Sequence, residues 1–198
     1  MTDIVFAHDG TVAKIVGDAL HVLFGAPGEQ PDHAARAVAC ALALDEYAQA
    51  FRARCHKKGI ALGVTRIGVH AGPAIVGNFG GGRFFDYTAY GDTINVAARL
   101  EAANKQLGTR RCASATLAAR VEKFRGRPVG DLVLRVGWRL CVLLNPLRMH
   151  NTKTPRRRVI LRRLPNWKQA IPARWLPLQR MLGDTLMINS PAFTSSGC

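Results

Sequence analysis

Residues 84–105, FFDYTAYGDTINVAARLEAANK, decide the reading of this chain, because they combine strand, turn and helix signals with an unusual set of polar side chains. Phe84, Phe85, Tyr87 and Tyr90 have the aromatic content of a strand end, and Gly91, Asp92 and Thr93 break the run. Ile94, Val96, Ala97, Ala98 and Leu100 then return at helical spacing. A helix is therefore expected to begin near Asp92 or Thr93, where a short side-chain oxygen can accept from the unsatisfied amides of the first turn. Asn95 and Arg99 stand four apart, so they share one helical face near the positive end of the helix. Such a pair is either a solvated face or an anion clamp, and spacing alone leaves both open.

The longer string YTAYGDTINVAARLEAANK resembles the signature of class III nucleotide cyclases, the family of adenylate and guanylate cyclases. It is most similar to the bacterial and soluble subclass typified by YTAIGDTVN followed by AARLE. The resemblance covers about residues 4–135 and rests on long, specific motifs. It implies that Asn95 orients the ribose of a nucleotide and that Arg99 stabilises charge on its phosphate in the transition state.

Upstream, residues 12–16 and 19–24 are two strand-like runs separated by Gly17 and Asp18. A two-residue Gly-Asp connection suits a tight hairpin, since glycine takes the positive φ such turns need. Asp18 is thereby held at the tip, either as a turn former only or as a ligand. GTVAKIVGDALHVLFGAP also resembles the second motif of the cyclases, which implies that Asp18 binds the catalytic metal, Mg²⁺ or Mn²⁺, with two ions in the complete family site. Lys14, by itself an ordinary strand-edge lysine, matches the residue that recognises the purine base, with Thr88 as its partner. Many adenylate cyclases place an Asp seven residues before the helix Asn, where this chain has Thr88. The Lys-Thr combination resembles the soluble, often bicarbonate-responsive subclass that makes cyclic AMP. A hydroxyl donates as well as accepts, so its discrimination is softer, and ATP is favoured over GTP.

The 198 residues carry a net charge of +15, which at first points to nucleic acid. Position removes most of that signal. Residues 1–134 are only +4, whereas residues 135–198 hold 12 Lys and Arg against one acidic residue. Five cysteines, at 40, 55, 112, 141 and 198, include no CxxC pair, which argues for a reducing, cytoplasmic location and against a disulfide framework or zinc site. Asp3, His8 and Asp9 interrupt any signal-peptide core, and the apolar stretch 132–147 contains Arg135 and Arg139 and is too short to span a bilayer.

Between these landmarks, Asp32 is expected to cap an alanine-rich helix from His33 to about His56, read as scaffold. Residues 62–69 alternate as a strand that His70, Ala71 and Gly72 turn into residues 73–77. RIGVHAGPAIVGNFG resembles the third conserved strand pair of the family, and His70 reads as structure rather than a catalytic base. The glycines of residues 77–82 fit a hairpin connection into a strand containing Arg83, Phe84 and Phe85. No GK[ST] follows them and they open no helix, so they make no phosphate loop. Residues 112–116 lead into a short helix at 117–124, and 129–134 resembles the last strand of the family. Arg135 is only a weak substitute for the phosphate-contacting lysine expected there.

The family also carries a first strand with a second metal-binding Asp, and Met1 begins after it; Asp3 precedes the wrong strand and is not assigned. The sequence thus predicts an α+β, ferredoxin-like class III cyclase fold lacking its first, central strand. Residues 1–136 form the partial catalytic domain and 137–198 a basic, irregular or non-native tail. The resemblance implies an adenylate cyclase that converts ATP to 3',5'-cyclic AMP in intracellular signalling. It also implies a homodimer whose sites are composite across the interface. The alternatives are an inactive remnant that only dimerises or regulates, and a nucleic-acid binder driven by the basic tail.

Overall fold

The computed structural model describes residues 1–128 and, beyond them, the strands at 131–134, 138–141, 144–145, 159–160 and 180–189. A short helix, α1 (Thr2–Ala7), leads into the hairpin of β1 (Thr11–Val16) and β2 (Ala19–Phe24), which pair antiparallel. Gly17 turns that hairpin with φ of 60°, as the Gly-Asp spacing predicts. After α2 (His33–Lys57) come β3 (Arg66–Asn78), β4 (Tyr87–Tyr90), α3 (Asp92–Leu107), β5 (Arg111–Ala113) and α4 (Ala115–Ala118). The remaining strands are β6 (Arg127–Pro128), β7 (Asp131–Leu134), β8 (Trp138–Cys141), β9 (Leu144–Asn145), β10 (Val159–Ile160) and β11 (Arg180–Asn189).

Among the described residues the main sheet runs β1-β2-β11-β3-β5-β9-β6, with β4 paired to β3 beyond it; β10, β7 and β8 form a second, small sheet. The α2 helix buries one stripe, Ala34, Ala37, Ala41, Leu44 and Ala48, whose three- and four-residue steps are the amphipathic period. Ala34, Ala37, Ala41 and Leu44 of that stripe meet Val22, Phe24, Ile67, Val69 and Leu117 in the core, with Val5 of α1 in the same cluster. Small side chains on α2 let the helix lie close to the sheet. Asp45, buried among them, accepts from Arg110 Nε at 2.8 Å and Arg110 Nη2 at 3.1 Å, which ties α2 to the start of β5.

Several local expectations are corrected. Residues 66–78 form one continuous strand without a turn at His70, because exposed Pro73 and Ile75 alternate with buried Ala74 and Val76 and keep the two-residue period. Asp32 does not cap α2 with its side chain; its Oδ1 accepts from Arg36 Nε at 2.7 Å instead. Gly91 is the cap position of α3, and Thr93 Oγ1 donates at 2.6 Å to the carbonyl of Pro73 on the neighbouring strand rather than to its own helix. Phe84 and Phe85 lie outside β4, exposed. The short helix after β5 is α4, one turn capped by Ser114, whose Oγ accepts from Leu117 N at 3.2 Å.

The largest difference concerns the middle of the sheet. A cyclase sheet that lacks its central strand would leave unpaired backbone on the strands flanking the gap, yet β11 lies between β2 and β3, antiparallel to both. Its register runs from Asp184 opposite Phe24 to Asn189 opposite Ala19 on one side, and from Arg180 opposite Ile75 to Asn189 opposite Arg66 on the other. Backbone donors and acceptors of both neighbours are thereby paired. Most of the tail expected to be irregular lies outside the described residues, as does Arg135 before it.

Candidate active site

The β1-β2 hairpin carries Lys14 and Asp18. A register irregularity between Val12 and Lys14 re-aims the strand at the point where the lysine leaves it. Lys14 Nζ then donates to Asp86 Oδ2 at 2.9 Å, an ion pair between residues 72 apart in the chain. Asp18 stands exposed at the hairpin tip. Its charge reaches Glu101, whose carboxyl is pushed up to about 7 by burial first, with Arg66 opposing and Asp18 adding to the rise.

The connection from β3 to β4 holds the other half of that ion pair. Asn78 Oδ1 accepts from Gly80 N at 3.0 Å and from Asp86 N at 2.8 Å, and Phe79 N donates to Asp86 O at 2.8 Å. Asp86 is thus fixed through both of its backbone polar groups. Two residues on, Thr88 is buried in β4 opposite Gly77. Phe79 and Tyr90 pack edge to face, 4.3 Å between ring centroids, across the same hairpin.

The α3 helix follows at once. It is seated on β3 by Val96, Ala97, Leu100 and Ala103, all buried, which leaves Asn95 exposed and Arg99 half-buried. Among the described residues neither side chain has a hydrogen-bond or ion-pair partner. A guanidinium without an anion, one turn from an amide on the same face, is suited to an external phosphate or carboxylate.

The structure therefore pairs Lys14 with Asp86, which precedes β4 and lies two residues before Thr88, and sets Asn95 and Arg99 on one helix face. Asp18 stands at the exposed tip of the same hairpin, where its charge is felt at Glu101. Asp86 was missed in the sequence, although its place two residues before Thr88 puts it on the same side of an extended chain. His21, opposite Lys14 in the hairpin, is buried with Nε2 unpartnered among the described residues, and burial, then the Lys14 charge, lowers it to about 4. His70 is lowered by burial to about 4 as well, with Thr116 Oγ1 at 3.3 Å from Nδ1, as fits a structural histidine.

Metal chemistry can be tested against this donor set. Among the described residues, no three of His, Cys, Asp and Glu gather to hold an ion. Asp18 supplies one hard, exposed carboxylate oxygen, which fits Mg²⁺ or Mn²⁺ only where phosphate oxygens and water complete the shell.

Residues 1–142 match the model of the adenylate and guanylate cyclase catalytic domain. The chain belongs to this family. Adenylate cyclase 1 of Rhizobium meliloti (strain 1021) is 40% identical over 130 residues, 65% of this chain and 20% of that protein. An uncharacterised protein of Mycobacterium bovis (strain ATCC BAA-935 / AF2122/97) is 34% identical over 128 residues, 64% of this chain and 22% of that protein. The chain thus spans about a fifth of the length of these curated relatives. Among solved structures, the adenylyl cyclase CyaB from P. aeruginosa matches with a TM-score of 0.66 and 26% identity, over 74% of this chain and 77% of that one. The guanylyl cyclase Cya2 matches with a TM-score of 0.61 and 28% identity over 72% of each chain. The fold is thus the α+β cyclase fold expected from the motifs. Among the described residues no helix is long and apolar enough to cross a membrane.

Proposed function

We propose that this chain is an adenylate cyclase module that converts ATP to 3',5'-cyclic AMP and pyrophosphate for intracellular signalling, working as a cytoplasmic homodimer. The observation that carries the reading is the pair Asn95 and Arg99 on one face of α3, without side-chain partners among the described residues, on the helix that follows the strand of Thr88. In this reaction the ribose 3'-oxygen attacks the α-phosphorus in line, the bond from that phosphorus to pyrophosphate breaks, and the hydroxyl proton passes to solvent. Arg99 would meet the charge that grows on the phosphoryl oxygens, Asn95 would orient the ribose, and Lys14 and Thr88 would bind the adenine. Asp18 would hold Mg²⁺ or Mn²⁺. When bound, that ion lowers the pKa of the attacking hydroxyl and neutralises phosphate charge.

Separation within the chain supports the dimer. Asp18 stands exposed at the hairpin tip, whereas Lys14 is held at Asp86, so the carboxylate takes no part in the contact that holds the base grip within one copy. A head-to-tail pair would bring the Asp18 of one copy to the Lys14, Thr88, Asn95 and Arg99 of the other. That no three metal-ligating side chains gather among the described residues favours a second reading, in which the chain lends its Asn95 and Arg99 half to a complete cyclase partner. Assay of cyclic AMP formation with Mn²⁺, for the full chain alone and mixed with an intact cyclase domain, separates the two. Product from the chain alone supports the first, and product that rises only in the mixture and vanishes with Arg99→Ala supports the second. Absence of product and of ATP binding in both mixtures would sink the assignment.

A further inference from the structure

We infer that the exposed flank of α2 around Tyr47, Phe51 and Arg54 is a docking surface for an acidic amphipathic helix of another protein. It shares no residue with the candidate active site. Tyr47 and Phe51, one turn apart, are 38% and 37% exposed, and their rings stack with centroids 6.1 Å apart and 10° between planes. Arg54 lies over both, its guanidinium carbon 6.0 Å from the Tyr47 centroid and 5.7 Å from that of Phe51. Holding α2 to the sheet does not account for these side chains, because the separate stripe of Ala37, Ala41 and Leu44 does that. Exposed apolar side chains that cluster mark interaction surfaces, whereas scattered ones do not.

Spacing and charge select the occupant. Ala43, Tyr47, Ala50, Arg54 and Lys57 recur at steps of four, three, four and three, the period with which one helix receives another. Ala43 is half-buried and the other four are exposed. Residues 46–58 hold four cations, Arg52, Arg54, Lys57 and Lys58, against the single acid Glu46. Arg54 has no carboxylate partner among the described residues. A guanidinium whose face lies on aromatic rings still presents its N–H edge, which a carboxylate meets in plane. Asp or Glu of an incoming helix matches that edge, and its apolar residues match Tyr47 and Phe51. A second copy of this chain fits poorly, since it would set four more cations against these four. The chain's own residues 135–198 fit no better, with 12 Lys and Arg against one acid. Single-stranded nucleic acid brings the right charge, but its bases need open ring faces, and here the rings cover each other and lie under Arg54.

The test is fluorescence anisotropy of a labelled helical peptide of about three heptads, leucine at its a and d positions and glutamate at the flanking ones, titrated with the full chain. The unaltered chain should bind it, more weakly as salt rises. The same peptide with lysine for glutamate, and a single-stranded oligothymidylate, should each bind at least about tenfold more weakly. Arg54→Glu should weaken binding of the acidic helix about tenfold or more, and Phe51→Ala about fivefold. Arg54→Lys should keep part of the affinity, because the charge stays and the planar fork is lost. Arg99→Ala, on another helix, should bind the peptide as the parent does, and thermal midpoints of all variants should stay within a few degrees of the parent. Binding that Arg54→Glu and Phe51→Ala both leave unmoved places the peptide elsewhere, on the basic residues 135–198 for instance, and overturns the proposal. So does failure of the acidic helix to bind, and so does a preference for the oligothymidylate, which assigns the face to nucleic acid.

Discussion

Gly68 of β3 lies so close to α3 that a Cβ built on it would stand 2.2 Å from the carbonyl oxygen of Ala97. The same atom would stand 2.3 Å from Glu101 N, so helix backbone fills the space on this side of the strand. This contact sets the height of α3 above the sheet, and with it the position of Asn95 and Arg99. Gly68→Ala is expected to push the helix outward and lower the unfolding free energy by about 1–3 kcal/mol, the range for overpacking a closed site. Urea unfolding measures this; a midpoint within error of the parent would show that α3 is not seated as described.

Asn104 at the far end of α3 is fully buried and saturated with partners. Its Nδ2 donates to the carbonyls of Ile67, Leu100 and Glu101 at 3.0–3.1 Å, and its Oδ1 accepts from Thr109 Oγ1 at 2.6 Å and Cys112 Sγ at 2.9 Å. One amide thus joins α3, β3 and the turn into β5. Asn104→Ala leaves several of these groups buried and unpaired, and the expected cost is about 3 kcal/mol. The equilibrium unfolding free energy of the variant tests it, and a loss well below 1 kcal/mol would refute the network.

Acid should destabilise the protein through His21 and His70, both held near 4 by burial. Lys14 adds to the effect at His21, while at His70 Asp92 opposes it and Arg120 assists. Between about 4 and 6.5 the unfolded chain carries more protons on these imidazoles, so stability rises with pH across that window and is lost as pH falls through it, by up to about 3 kcal/mol for each group. Glu101 works in the opposite sense. Raised to about 7, it binds its proton more tightly when folded, so its contribution declines as pH climbs from 4.5 to 7. Glu101→Gln should gain about 1–2 kcal/mol at pH 8, a figure discounted because the group is only half-buried. In that background the urea midpoint should fall between pH 6.5 and 5; a flat profile would contradict the histidine assignment.

Asn95 is exposed and Arg99 half-buried, and neither supports another described residue, so their replacement should separate function from stability. In an assay mixture that forms cyclic AMP, Asn95→Ala and Arg99→Ala are each expected to lower kcat about a hundredfold, as loss of one charge-stabilising donor does. Denaturation midpoints should move by less than about 0.5 kcal/mol. Unaltered turnover in both variants would exclude the helix face from the reaction.

Strand β11 pairs with β2 over six positions and with β3 over ten. Removing residues 180–198 would strip that ladder from both neighbours and expose two strand edges in the middle of the sheet. The truncated chain is expected to lose cooperative unfolding and to aggregate, as followed by circular dichroism and size-exclusion chromatography. A truncated chain that stays monomeric and melts as the parent does would show that β11 is dispensable.

Much of this was legible locally. Gly17-Asp18 announced its hairpin because a positive φ at a two-residue turn is a property of those two residues. The α2 and α3 helices announced themselves because apolar side chains recur at three and four. The motif from Tyr87 to Lys105 identified the family and proposed Thr88, Asn95 and Arg99, and the motif around the Gly17-Asp18 hairpin proposed Lys14 and Asp18. Capping was misread at Asp32 and Thr93, since both oxygens found partners that local propensity does not see: Arg36 in one case and the Pro73 carbonyl in the other.

By itself, then, the sequence determined the kinds of element, their turns, the family and the polar face of α3, all of which depend on residues a few positions apart. Only the tertiary structure decided that Lys14 meets Asp86 across 72 residues, that Asn104 joins three segments, and that residues 180–189 enter the centre of the sheet. Those outcomes follow from which backbone edges and buried polar groups still lack partners once the local elements have formed, and that is settled by packing distant parts of the chain together.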